Sequence, residues 1–216
     1  MTTPAPPGLA GLVLAAGASR RFGSPKQLAL IDGVPMLQRV LETAQAALPP
    51  EESGGEPRSR VTVVLGAHAE AVREGVIERL APPRPRVVVC PDWEQGMAHS
   101  LRCGLAALAA AAGGADKESA APTAALVVLG DTPYISTDDL RRLIDAWCAA
   151  PDLPTAAAYD GTVGAPCILP RWAWAEVMTL RGDQGAGAWL RDRRAKGAAI
   201  IEAGIAAAAR DIDTPR

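Results

Sequence analysis

Aromatic residues are scarce: five Trp, two Tyr and one Phe make up 4% of the 216 residues. A core without them must be filled by Ala, Val, Leu and Ile, which predicts helices lying close against a sheet. Histidine is scarcer still, with only His68 and His99. Two imidazoles cannot build a His-rich metal centre, and a Ser-His-Asp hydrolase would have to use one of them. The four cysteines, Cys90, Cys103, Cys148 and Cys167, form no CxxC pair. Such spacing supports neither a zinc ribbon nor a thioredoxin-type motif, and predicts free, mostly buried thiols in a reducing cytoplasm. No apolar run reaches the roughly 18–20 residues that a membrane helix needs. The apolar stretch from Leu9 to Ala18 is followed by Arg20 and Arg21, the reverse of a secretory signal. A charge excess is missing too, since 22 basic and 24 acidic residues leave a net charge of -2. That gives no electrostatic reason to expect a nucleic-acid or membrane partner. Any phosphate ligand has to be held by a local cluster.

What is present is a soluble, globular composition, 49% hydrophobic and 21% charged. The length favours one domain spanning residues 1–216, and no internal repeat or boundary is visible. Short apolar runs at Leu9–Leu14, Val61–Leu65, Arg86–Cys90 and Ala124–Leu129 read as strands. Helical patterns lie between them. Pro35 can open a helix, after which Met36, Leu37, Val40, Leu41 and Ala44 share one face. Ala69–Leu80 and Met97–Ala112 read as further helices, and Thr137 opens another with Asp138 and Asp139 in its first turn. Pro49–Arg60 and Gly113–Thr123 read as loops. Continuous Val/Leu runs suit parallel strands covered on both faces. The expected fold is therefore a three-layer α/β structure with a mostly parallel central sheet and right-handed crossovers. Strands at Thr155–Tyr159 and Ala165–Leu169, with helices at Arg171–Leu180 and Gly185–Arg194, should extend that sheet in partly antiparallel fashion.

Ligands of open α/β sheets bind beyond the carboxyl ends of the strands. The first such end carries Gly17, Arg21, Gly23 and Lys26. It is neither a P-loop nor a dinucleotide fingerprint. It does offer small residues whose N–H groups can approach an anion, with cations on either side of Gly23. A plain βα turn with solvated basic residues would look the same. The fourth strand runs into Gly130-Asp131-Thr132-Pro133, whose carboxylate suits Mg²⁺ beside phosphates or simply caps a turn. Taken together, a cationic glycine loop and an acidic turn on one sheet edge favour a phosphate site over two unrelated turns.

The order of the motifs carries a resemblance. LAAGASRRFGSPKQL resembles the LAAGxSxRxGxxK pattern of the MobA-like nucleotidyltransferases, and within them the molybdenum cofactor cytidylyltransferases. The blocks WEQGMAHSLRCGL, GDTPYI, GAPCIL, GDQGAG and DIDTP follow in the family's order, so the match runs from Leu12 to Pro215. The resemblance implies a Rossmann-like nucleotidyltransferase fold. It implies that Ala15, Ala16 and Gly17 line the base and phosphates of a nucleotide, with Leu14 and Gly66 in the same set. It further implies that Arg21 and Lys26 bind the triphosphate, that Gly96 and Ser100 wall the pocket, and that Asp131 holds Mg²⁺. Asp213 would be a second metal ligand, with Asp211 as the alternative. Four places depart from the pattern: Cys90, often Asn; His99, where a small residue is commoner; Ala165, often His; and GDQGAG, which lacks a basic residue after GA. The last three touch the region expected to take the acceptor.

The implied reaction is transfer of CMP from CTP to the terminal phosphate of a molybdopterin-type acceptor, with release of pyrophosphate. The product could pass to a molybdenum hydroxylase. A phosphate nucleophile is already ionised, so no catalytic His is needed; positioning and charge neutralisation suffice. Guanylyl-transferring relatives usually carry AGG where this chain has Ala15-Ala16-Gly17. Isoprenoid-pathway cytidylyltransferases carry a DAARP-like sequence where this chain has Gly130-Asp131-Thr132-Pro133. A reading from another class is an NAD(P)H-dependent oxidoreductase of the nicotine blue type, which would place a dinucleotide in the same pocket.

Overall fold

A computed structural model describes residue 6 and residues 8–19, 22–51, 56–111 and 121–212. Nine strands are defined among them: β1 Leu9–Ala15, β2 Leu30–Ile31, β3 Val34–Pro35, β4 Val61–Leu65, β5 Arg86–Val89, β6 Ala124–Leu129, β7 Thr155–Tyr159, β8 Thr162–Pro170 and β9 Ile201–Gly204. The α-helices are α1 Met36–Ala47, α2 Ala69–Gly75, α3 Met97–Ala111, α4 Thr137–Cys148, α5 Ala173–Val177 and α6 Ala186–Ala195. Seven strands form one sheet in the order β5-β4-β1-β6-β8-β7-β9, while β2 and β3 make a small separate hairpin. β5, β4, β1 and β6 run parallel, and only β8 opposes its neighbours. β7 and β9 are again parallel.

Alternation along each strand divides the core between the two faces. Leu9, Val13 and Ala15 pack with α1, α2 and α4 on one side. Ala10, Leu12, Leu14 and Ala16 pack with α3, α5 and α6 on the other. The apolar stripe expected of α1 is realised, since Met36, Leu37, Val40, Leu41 and Ala44 are all buried. The close approach expected of a core poor in aromatics is seen at Gly104 of α3. A Cβ there would lie 2.5 Å from Leu12 Cδ1 and 2.9 Å from Val64 Cγ2. α4 starts on a capping box in which the Ser136 hydroxyl accepts from the Asp139 N–H and the Asp139 carboxylate accepts from the Ser136 N–H.

Five expectations change. The helix expected to run to Leu80 ends at Gly75 and gives way to a 3₁₀ turn, Ile77–Arg79. Val76, Ile77 and Leu80 all face the core across this break. The Arg171–Leu180 helix is confined to α5, and β8 is longer than expected, spanning nine residues. β9 was not anticipated: its four residues, Ile-Glu-Ala-Gly, carry too little apolar pattern to mark an edge strand, and its pairing with β7 forms it. The thiols are free, as expected, but only Cys90 and Cys167 are buried, while Cys148 is exposed. The segments 52–55 and 113–120, within the expected loops, and Ala112, the expected end of the third helix, lie outside the described residues. No described helix is long and apolar enough to cross a membrane.

Candidate functional site

Register sets the site. Ala15 pairs with Leu65, Leu14 with Leu129 and Leu65 with Val89, so four parallel strands end along one edge. The chain leaving that edge at Ala16, Cys90 and Gly130 surrounds one space. It is a cavity of about 530 Å³, lined from the first loop by Leu14 to Ser19, Phe22, Lys26 and Gln27. Trp93, Glu94, Gly96, Met97 and Ser100 form a second wall, and Leu129, Gly130, Asp131 and Asp183 complete it.

The first loop is held from beneath by a residue that sequence reading missed. Gln27, buried, donates from Nε2 to the carbonyls of Ala15 and Gly17, both at 2.9 Å. Its Oε1 accepts from Ser19 Oγ at 3.4 Å, and Ser19 Oγ accepts from the Lys26 N–H at 3.1 Å. Ser19 has a φ of 55°, a left-handed conformation that these contacts maintain. The Ala16 carbonyl is taken by the Ala67 N–H. With the carbonyls engaged, the N–H groups of Gly17, Ala18 and Ser19 have no partner among the described residues. The only signal for Gln27 in the sequence is its place in Pro25-Lys26-Gln27.

Gly130 brings the acidic turn against this loop. Its N–H donates to the Leu14 carbonyl at 2.9 Å, and a Cβ there would lie 2.9 Å from Ala15 Cβ. Asp131 then faces Lys26, with Nζ 3.1 Å from Oδ2. Its other oxygen, Oδ1, is buried and has no hydrogen-bond partner among the described residues. The Ile212 N–H donates to the Asp131 carbonyl at 3.3 Å, so the chain's final segment returns to this turn. Asp211 acts on the Tyr159 phenol, whose pKa is raised chiefly by burial, and it is not among the cavity-lining residues. Arg21 and Asp213 lie outside the described residues.

Gly66, expected in the nucleotide-binding set, is not among the residues lining the cavity. A Cβ at Gly66 would lie 2.6 Å from both the Ala16 carbonyl oxygen and Trp93 Cβ, so its bareness lets Trp93 close onto the first loop. Gly96 does line the cavity, and it also makes room for another loop. Its φ is +94°, and a Cβ there would lie 2.5 Å from the Gly182 backbone. The Ala98 N–H donates to the Gly182 carbonyl at 2.9 Å. The GDQGAG block is thereby docked on the start of α3, and Asp183 joins the cavity wall. Ser100 is buried and reaches the cavity from the first turns of the same helix.

A parallel sheet with helices on both faces and a cleft at its carboxyl edge defines a Rossmann-like nucleotide-binding class. Within that class the chain belongs to the MobA-like NTP transferase domain family, which matches residues 11–198. It is an enzyme family of nucleotidyltransferases, which use divalent metals. Over 217 aligned residues the chain is 30% identical to the purine catabolism protein PucB of Bacillus subtilis (strain 168), covering 97% of this chain and 93% of that protein. It is similar to the crystal structure of Rv0371c from Mycobacterium tuberculosis H37Rv, with 30% identity, a TM-score of 0.70, and 96% and 93% of the two chains covered. A complex of Rv0371c with manganese matches at 28% identity and a TM-score of 0.64, covering 92% of this chain and 88% of that one.

Proposed function

We propose that this nucleotidyltransferase is a cytidylyltransferase that moves CMP from CTP to the terminal phosphate of a molybdopterin-type acceptor. An acceptor phosphate oxygen bonds to the α-phosphorus, the bond from that phosphorus to the β-phosphate bridging oxygen breaks, and pyrophosphate leaves. The observation that carries the reading is Asp131: one carboxylate oxygen is buried with no partner among the described residues and the other is on Lys26, directly across from the clamped first loop. A carboxylate oxygen and backbone N–H groups that have no partner among the described residues fit a divalent cation held with a polyphosphate.

Asp131 would hold that cation, Mg²⁺ or Mn²⁺, with Asp213 or Asp211 as the second ligand. The cation supplies charge neutralisation at the phosphates. Gly17, Ala18 and Ser19 present backbone donors to phosphate oxygens. Lys26 and Arg21 bind the triphosphate as cations. Ala15 and Ala16 would border the base, Leu14 lines the same cavity, and Gly96 and Ser100 would wall the nucleotide from the α3 side. Gly66 acts indirectly by admitting Trp93. The acceptor would enter along Trp93, Glu94 and Asp183, and the product would suit a molybdenum hydroxylase.

Pyrophosphate release, measured with CTP, GTP or ATP and a molybdopterin-type acceptor in Mg²⁺ or Mn²⁺, tests the reading. CTP should be turned over fastest, and only with a divalent cation. Preferred use of another nucleotide would overturn the cytidylyl assignment. Acceptor-dependent oxidation of NADPH without pyrophosphate release would replace it with the oxidoreductase reading.

A further inference from the structure

The strand edge carries a second cluster outside the nucleotide cavity. Cys90 follows β5 and is fixed there by its N–H, which donates to the Leu65 carbonyl at 2.8 Å. His99 and Cys103 sit four residues apart on α3, on one face of the helix. The fold points that face at Cys90. The Sγ atoms of Cys90 and Cys103 are 2.9 Å apart, and the three ligand atoms of Cys90, His99 and Cys103 lie within 4.8 Å of one another. A carboxylate stands beside them, with Asp92 Oδ2 3.8 Å from His99 Nε2.

We propose that Cys90, His99 and Cys103 form a binding site for a thiophilic divalent cation of the zinc class, with Asp92 able to fill the fourth position. Two sulfurs and one imidazole are a soft-to-borderline donor set, which selects zinc over the hard cations that carboxylates and phosphates take. Two sulfurs about 2.3 Å from a tetrahedral cation are about 3.8 Å apart. The thiols, at 2.9 Å, must open by roughly 0.9 Å, which a small side-chain rotation at half-buried Cys103 provides. Each thiol gives up one proton on binding. Two thiolates, a neutral imidazole and a dication are then electrically neutral, and Asp92 would add one negative charge.

Arg102 adjoins His99 and competes for the site. Its guanidinium donates to His99 Nδ1 at 2.9 Å. A cation held through Nδ1 displaces this donor. A cation held through Nε2 places the ring proton on Nδ1, and Arg102 turns away. Its other bond, to the Leu180 carbonyl, keeps it near in either case. The cluster also adjoins the nucleotide cavity, because Ser100 interacts with Cys90 and lines the cavity.

The test uses the full chain, stripped by chelator, reduced, kept under argon and titrated with Co²⁺ alone. One equivalent should produce thiolate-to-cobalt charge-transfer absorption and the intense visible bands of a tetrahedral centre, and Zn²⁺ should bleach both. Cys103→Ser and His99→Ala should each weaken binding by more than about 100-fold, the upper end of what losing only an outer partner costs. Cys148→Ser and Asp131→Asn should leave the signal intact. Circular dichroism on each variant separates lost ligation from lost folding, and the half-buried Cys103 is the preferred position for that reason. Absence of the charge-transfer absorption would overturn the proposal. So would its persistence in Cys103→Ser, its loss in Asp131→Asn, or a Cys90–Cys103 disulfide forming under saturating Zn²⁺.

Discussion

Lys26 Nζ lies 3.1 Å from Asp131 Oδ2 across the cavity mouth, joining residues 105 positions apart. The ion pair is partly exposed, so it adds little to stability, about 0–1 kcal/mol. Asp131→Asn should therefore leave Tm nearly unchanged while lowering kcat by at least about 100-fold, the scale of losing one strong electrostatic contact in a reaction centre. Near-normal turnover in Mg²⁺ would remove Asp131 from the chemistry.

Gln27→Leu tests the clamp under the first loop. The substitution keeps the volume but leaves the carbonyls of Ala15 and Gly17 without their side-chain donor. A loss of about 1–3 kcal/mol is expected in urea unfolding. KM for the nucleotide should rise, because the loop's N–H groups lose their fixed orientation. Unchanged KM with lowered stability would make Gln27 a core residue and nothing more.

Gly96→Ala, although Gly96 walls the nucleotide, should act mainly through the 182–183 loop that it admits, on the acceptor side. The added Cβ meets the Gly182 backbone at 2.5 Å, and the φ of +94° is strained for any L side chain. The cost should be about 1–3 kcal/mol. Acceptor KM should change more than nucleotide affinity, and steady-state kinetics in both substrates would report it. Equal changes in the two would place the 182–183 loop against the nucleotide instead.

Base choice should depend on the methyl of Ala16, which lines the cavity. One methyl in a pocket is worth roughly 10–200-fold in specificity. Ala16→Gly should narrow the ratio of kcat/KM between CTP and GTP and leave the metal requirement in place. An unchanged ratio would take base selection away from the first loop.

Alkaline pH should destabilise the fold. Burial pushes the Cys167 thiol from 9.0 to about 12. The Cys90 thiol also goes to about 12, through burial first and then its contact with Cys103. Between those values the unfolded chain releases protons that the folded chain retains, so stability falls as pH rises. The contribution is fully present below pH 9.0 and is lost on approach to 12. Urea midpoints of wild type and Cys167→Ala should diverge little at neutral pH, and their difference should shift steadily above pH 9.0. A difference independent of pH would contradict the burial of this thiol.

Much of the fold was legible because its signals are local. The α1 stripe, β1, β4 and β6 follow from spacing within a dozen residues, and the edge loops follow from their strands. What escaped depends on distant partners. β9 exists through β7, and α2 stops where Gly75 meets Leu28, whose Cδ2 would lie 2.9 Å from an added Cβ. Gln27 matters through two carbonyls that no motif marks. Cys90 and His99 stand out singly as departures from a pattern, yet only the return of α3 to the strand edge sets them beside each other and Cys103.

The clamped loop also bears on how a chain of net charge -2 can attract a polyanion. Gln27 ties down the carbonyl oxygens of Ala15 and Gly17, and under the proposed function the N–H ends of that loop would supply positive dipole ends to phosphate. That local electric field is built from neutral groups, needs no surplus of Lys or Arg, and does not titrate. Acting over a few ångströms, such a field would favour phosphate at one spot without a general surface excess of positive charge.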